Sequence, residues 1–593
     1  MLLSALVPVV YLAMLTLPAA SGEHAPRSAW AWSWSCQAGA CVRSNETVPE
    51  GSGETPLEVC RLTCGDYGAL WPRPTGPTTL GGRLVAVHPS RVQFHLLEAE
   101  GPAELNELVM VARGRFLASL EAACGGNCSL AADTAALVVR LAVDSPSLAL
   151  DWATDESYSL QVAARGSQVT AQVRAATGFG ARHGLETLAQ LVAATGRPAR
   201  LLMAGEARVA DRPAFPHRGL LLDTARNFLP LADLRRTVGA MAACKLNVLH
   251  WHATDSQSFP LESEHVPQLA RHGAYSARET YSARDQAELV RYARARGVRV
   301  LLEVDAPSHA GNGWQWGPAE GLGALAVCVN RQPWRSFCIQ PPCGQLNPAN
   351  PRLYGVLGEL YRDLLGRWPA GEVFHMGGDE VFFACWNKSA EVVGWMESRG
   401  LGRSQADFLQ VWGEFQERAL QEFDKAAGHL NNSIVMWSSQ LTQPGVIQNY
   451  LSKERYVIET WVEADDPLPR ALMALGYRLI LAVKDAWYLD HGFWGRTRYH
   501  DWRAVYDTRL PGDRAVLGGE AAMWSELVDG AALDARVWPR AAALAERLWS
   551  DPAEPSARAE PRLHAQRERL VRRGVRADAL APAWCVHNEG ECR

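Results

Sequence analysis

Residues 375–380 read HMGGDE, two adjacent acids behind two glycines at the end of an apolar run. Glycines in that place let backbone approach a ligand closely. Cleaving a glycoside takes an acid for the leaving oxygen and a group that stabilises the cationic carbon. If the run continues as a strand through the pair, neighbouring side chains face opposite ways. Asp379 and Glu380 would then do two different jobs and not flank one bond as nucleophile and acid. An isolated Asp-Glu pair is ordinarily a solvated edge; its company sets this one apart. Ends of other apolar runs carry Asp223, His252, Asp255, Asp305, His309, Trp437, Trp461, Glu463, Trp524 and Glu526. Indole is a broad apolar plate with one polar edge and suits the flat face of a sugar. The chain has 22 Trp against 14 Phe and 14 Tyr, although most of them are expected to pack in the core. The pattern describes an acidic pocket walled by indoles, without a glycine-rich phosphate loop, and favours carbohydrate chemistry. His252 and His309 lack a matching ligand set, so neither metal nor cofactor is expected.

The elements that must present these residues are eight apolar runs separated by helical segments such as 231–243, 283–296, 352–367 and 404–427. The runs are 217–225, 245–255, 297–309, 372–380, 433–439, 455–463, 477–483 and 515–526. Near-continuous apolar strands belong to a parallel sheet covered on both faces, and eight of them with intervening helices predict a (β/α)8 barrel, an α/β fold. In such barrels the active site lies at the C-terminal ends of the strands. Ahead of the barrel, residues 83–211 mix strand-like runs (LVAVHP, ALVVRLAV, YSLQVAA, QVTAQVRA) with helical stretches near 104–123 and 178–193, which predicts a small α+β scaffold domain. Residues 23–82 form a Cys- and Trp-rich segment ending in the Pro/Gly linker PRPTGPTTLGG, and residues 212–593 hold the barrel and a C-terminal tail.

Net charge is −5, which gives no basic excess for binding nucleic acid. Residues 1–22 begin with an apolar stretch followed by small residues, a signal peptide or, if uncleaved, a membrane anchor; no later run could span a bilayer. Twelve of the 13 cysteines cluster locally (36, 41, 60, 64; 124, 128; 328, 338, 343, 385; 585, 592), and Cys244 stands apart in an apolar segment. This usage, with sequons at Asn45, Asn127, Asn387 and Asn431, fits the secretory route: an extracellular protein, or one of the Golgi or lysosomal lumen.

HMGGDE followed by VFFACW resembles the signature of glycoside hydrolase family 20, the β-N-acetylhexosaminidases. The resemblance runs on through FPHRGLLLDTARNF (215–228), LNVLHWHATDSQSFP (246–260), EVDAPSH (303–309), WYLD (487–490), GGEAAMWSE (518–526) and VWPRAAALAERLW (537–549). It implies a retaining hydrolysis assisted by the substrate's own 2-acetamido group, through an oxazolinium intermediate. By that resemblance Glu380 would be the general acid and then base, with a pKa raised in a closed pocket. Asp379 would orient the acetamido N–H, and Tyr488 would donate to its carbonyl oxygen. Trp437, Trp461 and Trp524 would wall the sugar. Arg218 and Glu526 would hold its 3- and 4-hydroxyls, Asp490 would lie near the 6-hydroxyl, and Asp255 and His309 would stand behind Glu380. The bland alternatives are rim packing for the indoles and a structural salt bridge for Arg218.

The cysteine-rich N-terminus resembles the arthropod secreted branch of the family. Its pattern implies disulfides Cys36–Cys64, Cys41–Cys60, Cys328–Cys385, Cys338–Cys343 and Cys585–Cys592, leaving Cys124 to Cys128. Two departures stand out. Ser256 replaces a second Asp common in the family. The segment after WYLD, HGFWGRTRYHDWRAVYD (491–507), is shorter than in chitin-degrading members, lacks cysteine, and is similar to the fused lobes type. The expectation is therefore an exo-acting enzyme that removes terminal N-acetylglucosamine from N-glycan antennae. A chitooligosaccharide hydrolase is the alternative, because Trp494 could stand in for the missing plate. A catalytically inactive sugar-binding homologue is the other alternative, and a homodimer is left open.

Overall fold

The computed structural model describes residues 30–50, 52–96, 102–369, 372–428 and 431–592. The expected signal segment 1–22 lies outside the described residues. Among the described residues no helix is long and apolar enough to cross a membrane.

Eight parallel strands close into a barrel in sequence order: β1 His217–Asp223, β2 Val248–His252, β3 Arg299–Glu303, β4 Phe374–His375, β5 Ile434–Trp437, β6 Tyr456–Thr460, β7 Arg478–Leu481 and β8 Val516–Met523. Each lies inside one of the runs that the sequence marks out. Side chains alternate along a strand. One set, including Leu220, Leu222, Leu249, Trp251, Val300 and Leu302, packs outward with helices such as Leu231–Ala243 and Pro351–Leu365 into the main apolar core. The other set points inward. Its first layer is apolar: Val248, Leu301, Val373, Val435, Val457 and Ile480, with Trp152 of the preceding domain packed against it. Two residues further along the strands the layer changes character, to His250, Glu303, His375, Trp437 and Glu459, joined by Glu520 of β8, all buried.

The preceding domain is a six-stranded mixed sheet in the order Thr78–Leu80, Glu206–Asp211, Tyr158–Arg165, Gln168–Ala175, Ala136–Val143, Val92–Leu96, with the helices Ala103–Ala123 and Gly178–Ala189 beside it. Part of the expected linker is therefore an edge strand: Thr78, Thr79 and Leu80 pair with Val209, Arg208 and Ala207. The six disulfides Cys36–Cys64, Cys41–Cys60, Cys124–Cys128, Cys328–Cys385, Cys338–Cys343 and Cys585–Cys592 are present, and Cys244 is a buried free thiol. The C-terminal tail folds back on the N-terminal segment, where Arg61 pairs with Glu589 at 2.6 Å.

The junction between domain and barrel corrects one expectation. Arg218 is the second residue of β1, so it sits at the N-terminal entrance of the barrel, the end opposite the pocket. It is fully buried, and Nη2 donates to both carboxylate oxygens of Glu156 in the preceding domain at 2.7 and 2.9 Å. Its Nε and Nη1 donate to the carbonyls of Lys245 and Phe215. Arg218 therefore binds no sugar hydroxyl; it fastens two domains. Arg218→Ala would strand the Glu156 carboxylate without its main partner. Denaturant titration should show a loss of about 3–5 kcal/mol, while ligand affinity of the folded fraction stays at the native value. Reduced affinity with unchanged stability would contradict this placement.

Candidate active site

The C-terminal mouth of the barrel gathers the remaining residues. β4 is short and ends at His375, two residues before Gly377. Gly377 and Gly378 take φ of 63° and 84°, and a Cβ on Gly377 would lie 1.7 Å from Asp305 Oδ1. The chain therefore leaves the sheet before the acids, and Asp379 and Glu380 lie on a turn. The expectation that strand alternation separates them does not hold; the turn does that work. Glu380 itself has φ of 48° and His309 φ of 51°, left-handed conformations that cost a non-glycine residue roughly 1–3 kcal/mol. Packing enforces both: Gly378 N–H donates to Asp305 Oδ1 at 2.9 Å, and Ser308 Oγ donates to the Glu380 carbonyl at 3.1 Å.

His309 links the acids. Its Nε2 lies 3.4 Å from Glu380 Oε2 and 3.8 Å from Asp379 Oδ2, and its Nδ1 lies 3.2 Å from Asp255 Oδ2. Burial disfavours a charged ring, but the carboxylates of Asp255 and Asp379 outweigh it and hold the His309 pKa well above the usual imidazole value. That direction suits a protonated ring bridging Asp255 and Glu380, although Asp305, His309 and Asp379 also bring their ligand atoms within 4.8 Å of one another. Beneath it, His375 stands between two acids, with Nδ1 3.3 Å from Glu303 and Nε2 3.6 Å from Glu459.

The expected rise in the Glu380 pKa is not found in the ligand-free pocket. Burial pushes it up, but the hydrogen bond and charge of His309 hold it below the usual carboxylate value. The raised groups are its neighbours. Asp379 is pushed up by burial and by the Glu380 charge, and Asp305 is pushed well up by burial and by Asp379. Asp305 thus stands beside Asp379 with its carboxyl shifted toward the neutral form, a site residue that sequence reasoning left among the strand-end acids. Burial raises Asp490 to about 7. Tyr488 is pushed well above 10, first by burial and then by Asp490 and Asp379, so its hydroxyl remains a donor.

Trp437, Trp461, Trp524 and Tyr488 form one aromatic cluster with Leu221, Ala482 and Ala522. Trp437 Nε1 donates to Glu303 at 2.7 Å and Trp461 Nε1 to the Ser438 carbonyl at 2.7 Å, which fixes two of the plates from behind. Asp379 Oδ1, Asp490 Oδ1, Glu526 Oε2 and Trp524 Nε1 are buried without a hydrogen-bond partner. Buried polar atoms are nearly always paired, and four orphans around one aromatic-walled pocket suit a small molecule rich in hydroxyls. Glu463, also a strand-end acid in the sequence, is exposed.

The arginine of this pocket is Arg226, which sequence reasoning missed. Asp223 Oδ1 accepts from the Ala225 and Arg226 N–H groups at 2.9 and 3.2 Å, turning the chain just after β1. The guanidinium then reaches Asp255 at 2.8 Å and Asp223 at 3.4 Å, and lies 5.0 Å from the Trp524 ring centre. Asp255, Asp223, Glu526 and Asp379 together outweigh its burial and keep it charged. The signal was available in TARNF, eight residues beyond Arg218 and past the end of its strand.

Residues 215–552 match the glycosyl hydrolase family 20 catalytic domain, and residues 70–191 match a domain described as beta-acetyl hexosaminidase like. The chain belongs to glycosyl hydrolase family 20, the β-N-acetylhexosaminidases. It is 41% identical over 577 residues to a chitooligosaccharidolytic beta-N-acetylglucosaminidase of Ostrinia furnacalis, covering 95% of each chain. It is 36% identical to the probable beta-hexosaminidase fdl of Drosophila melanogaster, covering 95% of this chain and 91% of that one. Among solved structures, Flavobacterium johnsoniae chitobiase superposes with a TM-score of 0.69 at 25% identity, covering 86% of this chain and 73% of that chain.

Arg226→Gln should weaken binding of a monosaccharide ligand by about 10–100-fold, the value of one or two charged hydrogen bonds of roughly 1.5–3 kcal/mol. Isothermal titration with N-acetylglucosamine would measure it. Native affinity in that variant would remove Arg226 from the pocket.

Proposed function

We propose that this protein is an exo-acting β-N-acetylglucosaminidase that removes terminal non-reducing N-acetylglucosamine by substrate-assisted retention, and that linear β-1,4-linked oligomers of that sugar are its substrates. The observation that carries the mechanism is the split between neighbouring acids: Glu380 is tied to the His309 imidazolium, while Asp379 faces the aromatic pocket with an unpaired oxygen. In the first step the acetamido oxygen bonds to the anomeric carbon, and the glycosidic C–O bond breaks with its electron pair on the leaving oxygen. That oxygen takes a proton from Glu380, which can receive one from His309. Asp379 accepts the acetamido N–H and offsets the charge growing on the ring, and Tyr488 donates to the acetamido oxygen. In the second step water adds to the anomeric carbon from the vacated side and gives its proton to Glu380. The acetamido group is released, and configuration is retained overall.

For the substrate, support comes from Trp494. It stands at the rim, 42% exposed, with Nε1 donating to Asp490 Oδ2 at 2.8 Å. An indole held beside the sugar pocket offers a plate to the next sugar of a linear chain, and the Ostrinia furnacalis relative and another from Bombyx mori carry a chitooligosaccharidolytic name. A second reading, trimming of N-glycan antennae, is favoured by the segment 491–501. It has no helix, strand or disulfide, and a rim without regular structure is the kind that a branched aglycone would need. Six disulfides and four exposed sequon asparagines support passage through an oxidising compartment.

Glu380→Gln should lower turnover of chitobiose by about 10²–10⁴-fold, yet leave glycosylation by an aryl glycoside with a very good leaving group much less affected. Near-native turnover of chitobiose would refute the mechanism. Trp494→Ala should reduce kcat/KM on chitotriose by about fivefold to tenfold, the value of roughly 1 kcal/mol of stacking, and should not change it on a biantennary N-glycan. A wild-type protein that prefers the N-glycan, with Trp494→Ala indifferent on both, would replace the linear reading with the branched one.

A further inference from the structure

Beneath the pocket the inward-facing layer of ionisable residues forms a continuous line. Glu520 Oε1 meets His250 Nδ1 at 2.6 Å, and His250 Nε2 meets Glu303 Oε2 at 2.9 Å. The same Glu303 oxygen meets His252 Nδ1 at 2.6 Å, and His252 Nε2 meets Asp255 Oδ2 at 3.1 Å. From Asp255 the line continues through His309 to Glu380. The other Glu303 oxygen accepts from Trp437 Nε1 at 2.7 Å. Carboxylates and imidazoles alternate throughout, and the backbone makes room: a Cβ on Gly219 would lie 2.1 Å from Glu520 Oε2.

We propose that Glu303 is a positioning residue for the hydrolysis, holding the proton donor Glu380 through His252, Asp255 and His309 and the pocket wall through Trp437. The proposal rests on the reading of Glu380 as general acid. Glu303 faces His250 and His252 on β2, His375 on β4 and Trp437 on β5. Glu380 faces His309, with the charges of Arg226, Asp255 and Asp379 about it. Burial opposes a charged His252, but Glu303 and Asp255 push its pKa up to about 10. Asp255 is thereby surrounded by three cations: Arg226, His252 and His309. How strongly it draws on the His309 proton depends on how well the other two neutralise it. Glu303 sets one of those two, and so adjusts the proton that His309 and Glu380 share.

Glu303→Gln tests this with little change in shape. The amide oxygen still accepts from Trp437, and the amide N–H can donate to His252 Nδ1. His252 is then neutral, Asp255 is less neutralised, and the His309–Glu380 pair holds its proton more tightly. The basic limb of kcat/KM, which reports loss of that proton, should move up by on the order of half a pH unit, and kcat on chitobiose should fall about tenfold. His252→Gln should give the same shift, and the double variant no more than either alone, because both break one line. If Glu303→Gln is recovered unfolded, His252→Gln carries the test by itself. A packing role alone would lower the melting temperature and leave the limb in place, and that outcome overturns the proposal. The general-acid reading is checked separately by Glu380→Gln. If that variant is inactive on chitobiose while Glu303→Gln keeps the native pH profile, only the role of Glu303 fails.

Discussion

A carboxylate inside a barrel cannot remain charged without a partner, because its desolvation cost is several kcal/mol. This barrel buries Glu303, Glu459 and Glu520 in one layer, with His250 and His375 among them and His252 one layer above. The solution is mutual: each imidazole sits between two acids, and the line they form rises to the strand ends. The apolar layer beneath, packed against Trp152, closes the N-terminal end below the polar layer. The preceding domain therefore has a part in the site although it lies at the far end. It supplies the plug, and Trp152 Nε1 also approaches His217 Nδ1 at 3.4 Å, next to Glu520.

Much of this was legible in the sequence. All eight barrel strands fall inside apolar runs, since outward-facing residues such as Leu220, Trp251 and Leu302 must meet helices and are apolar by necessity. The pocket acids and indoles were legible as strand-end residues for the same geometric reason. Two things were not. Arg218 lies near the start of one strand and Arg226 just past its end, and which of them meets the pocket depends on direction along the chain as much as on residue type; a family resemblance spread over FPHRGLLLDTARNF does not separate them. The polar interior was hidden as well, because the two histidines of VLHWH and the one glutamate of VIETW read as interruptions of an apolar run when only runs are counted.

The Asp379–Glu380 turn shows a further limit. Residue spacing carries the chemistry of the pair but not its conformation, which depends on two left-handed glycines and on Asp305 filling the space where a Cβ would be. Strain at Glu380 and His309 follows from that packing. Their left-handed backbones place a carboxylate and an imidazolium side by side, across elements that are remote in sequence.

That juxtaposition also decides which acid titrates where. A general acid in an apolar pocket would be expected to have a raised pKa, yet here the imidazolium lowers Glu380 and the rise falls on Asp379, Asp305 and Asp490. On the proposed mechanism, the proton that Glu380 delivers rests on His309, where Asp255 stabilises it. Delivery to Glu380 would then become favourable as the leaving oxygen gains charge. Raising a lone carboxylate's pKa would make its proton available only below that value. Sharing the proton between a carboxylate and a buried imidazole keeps it in place over a wider range of pH, and it makes the acid sensitive to whatever holds the imidazole.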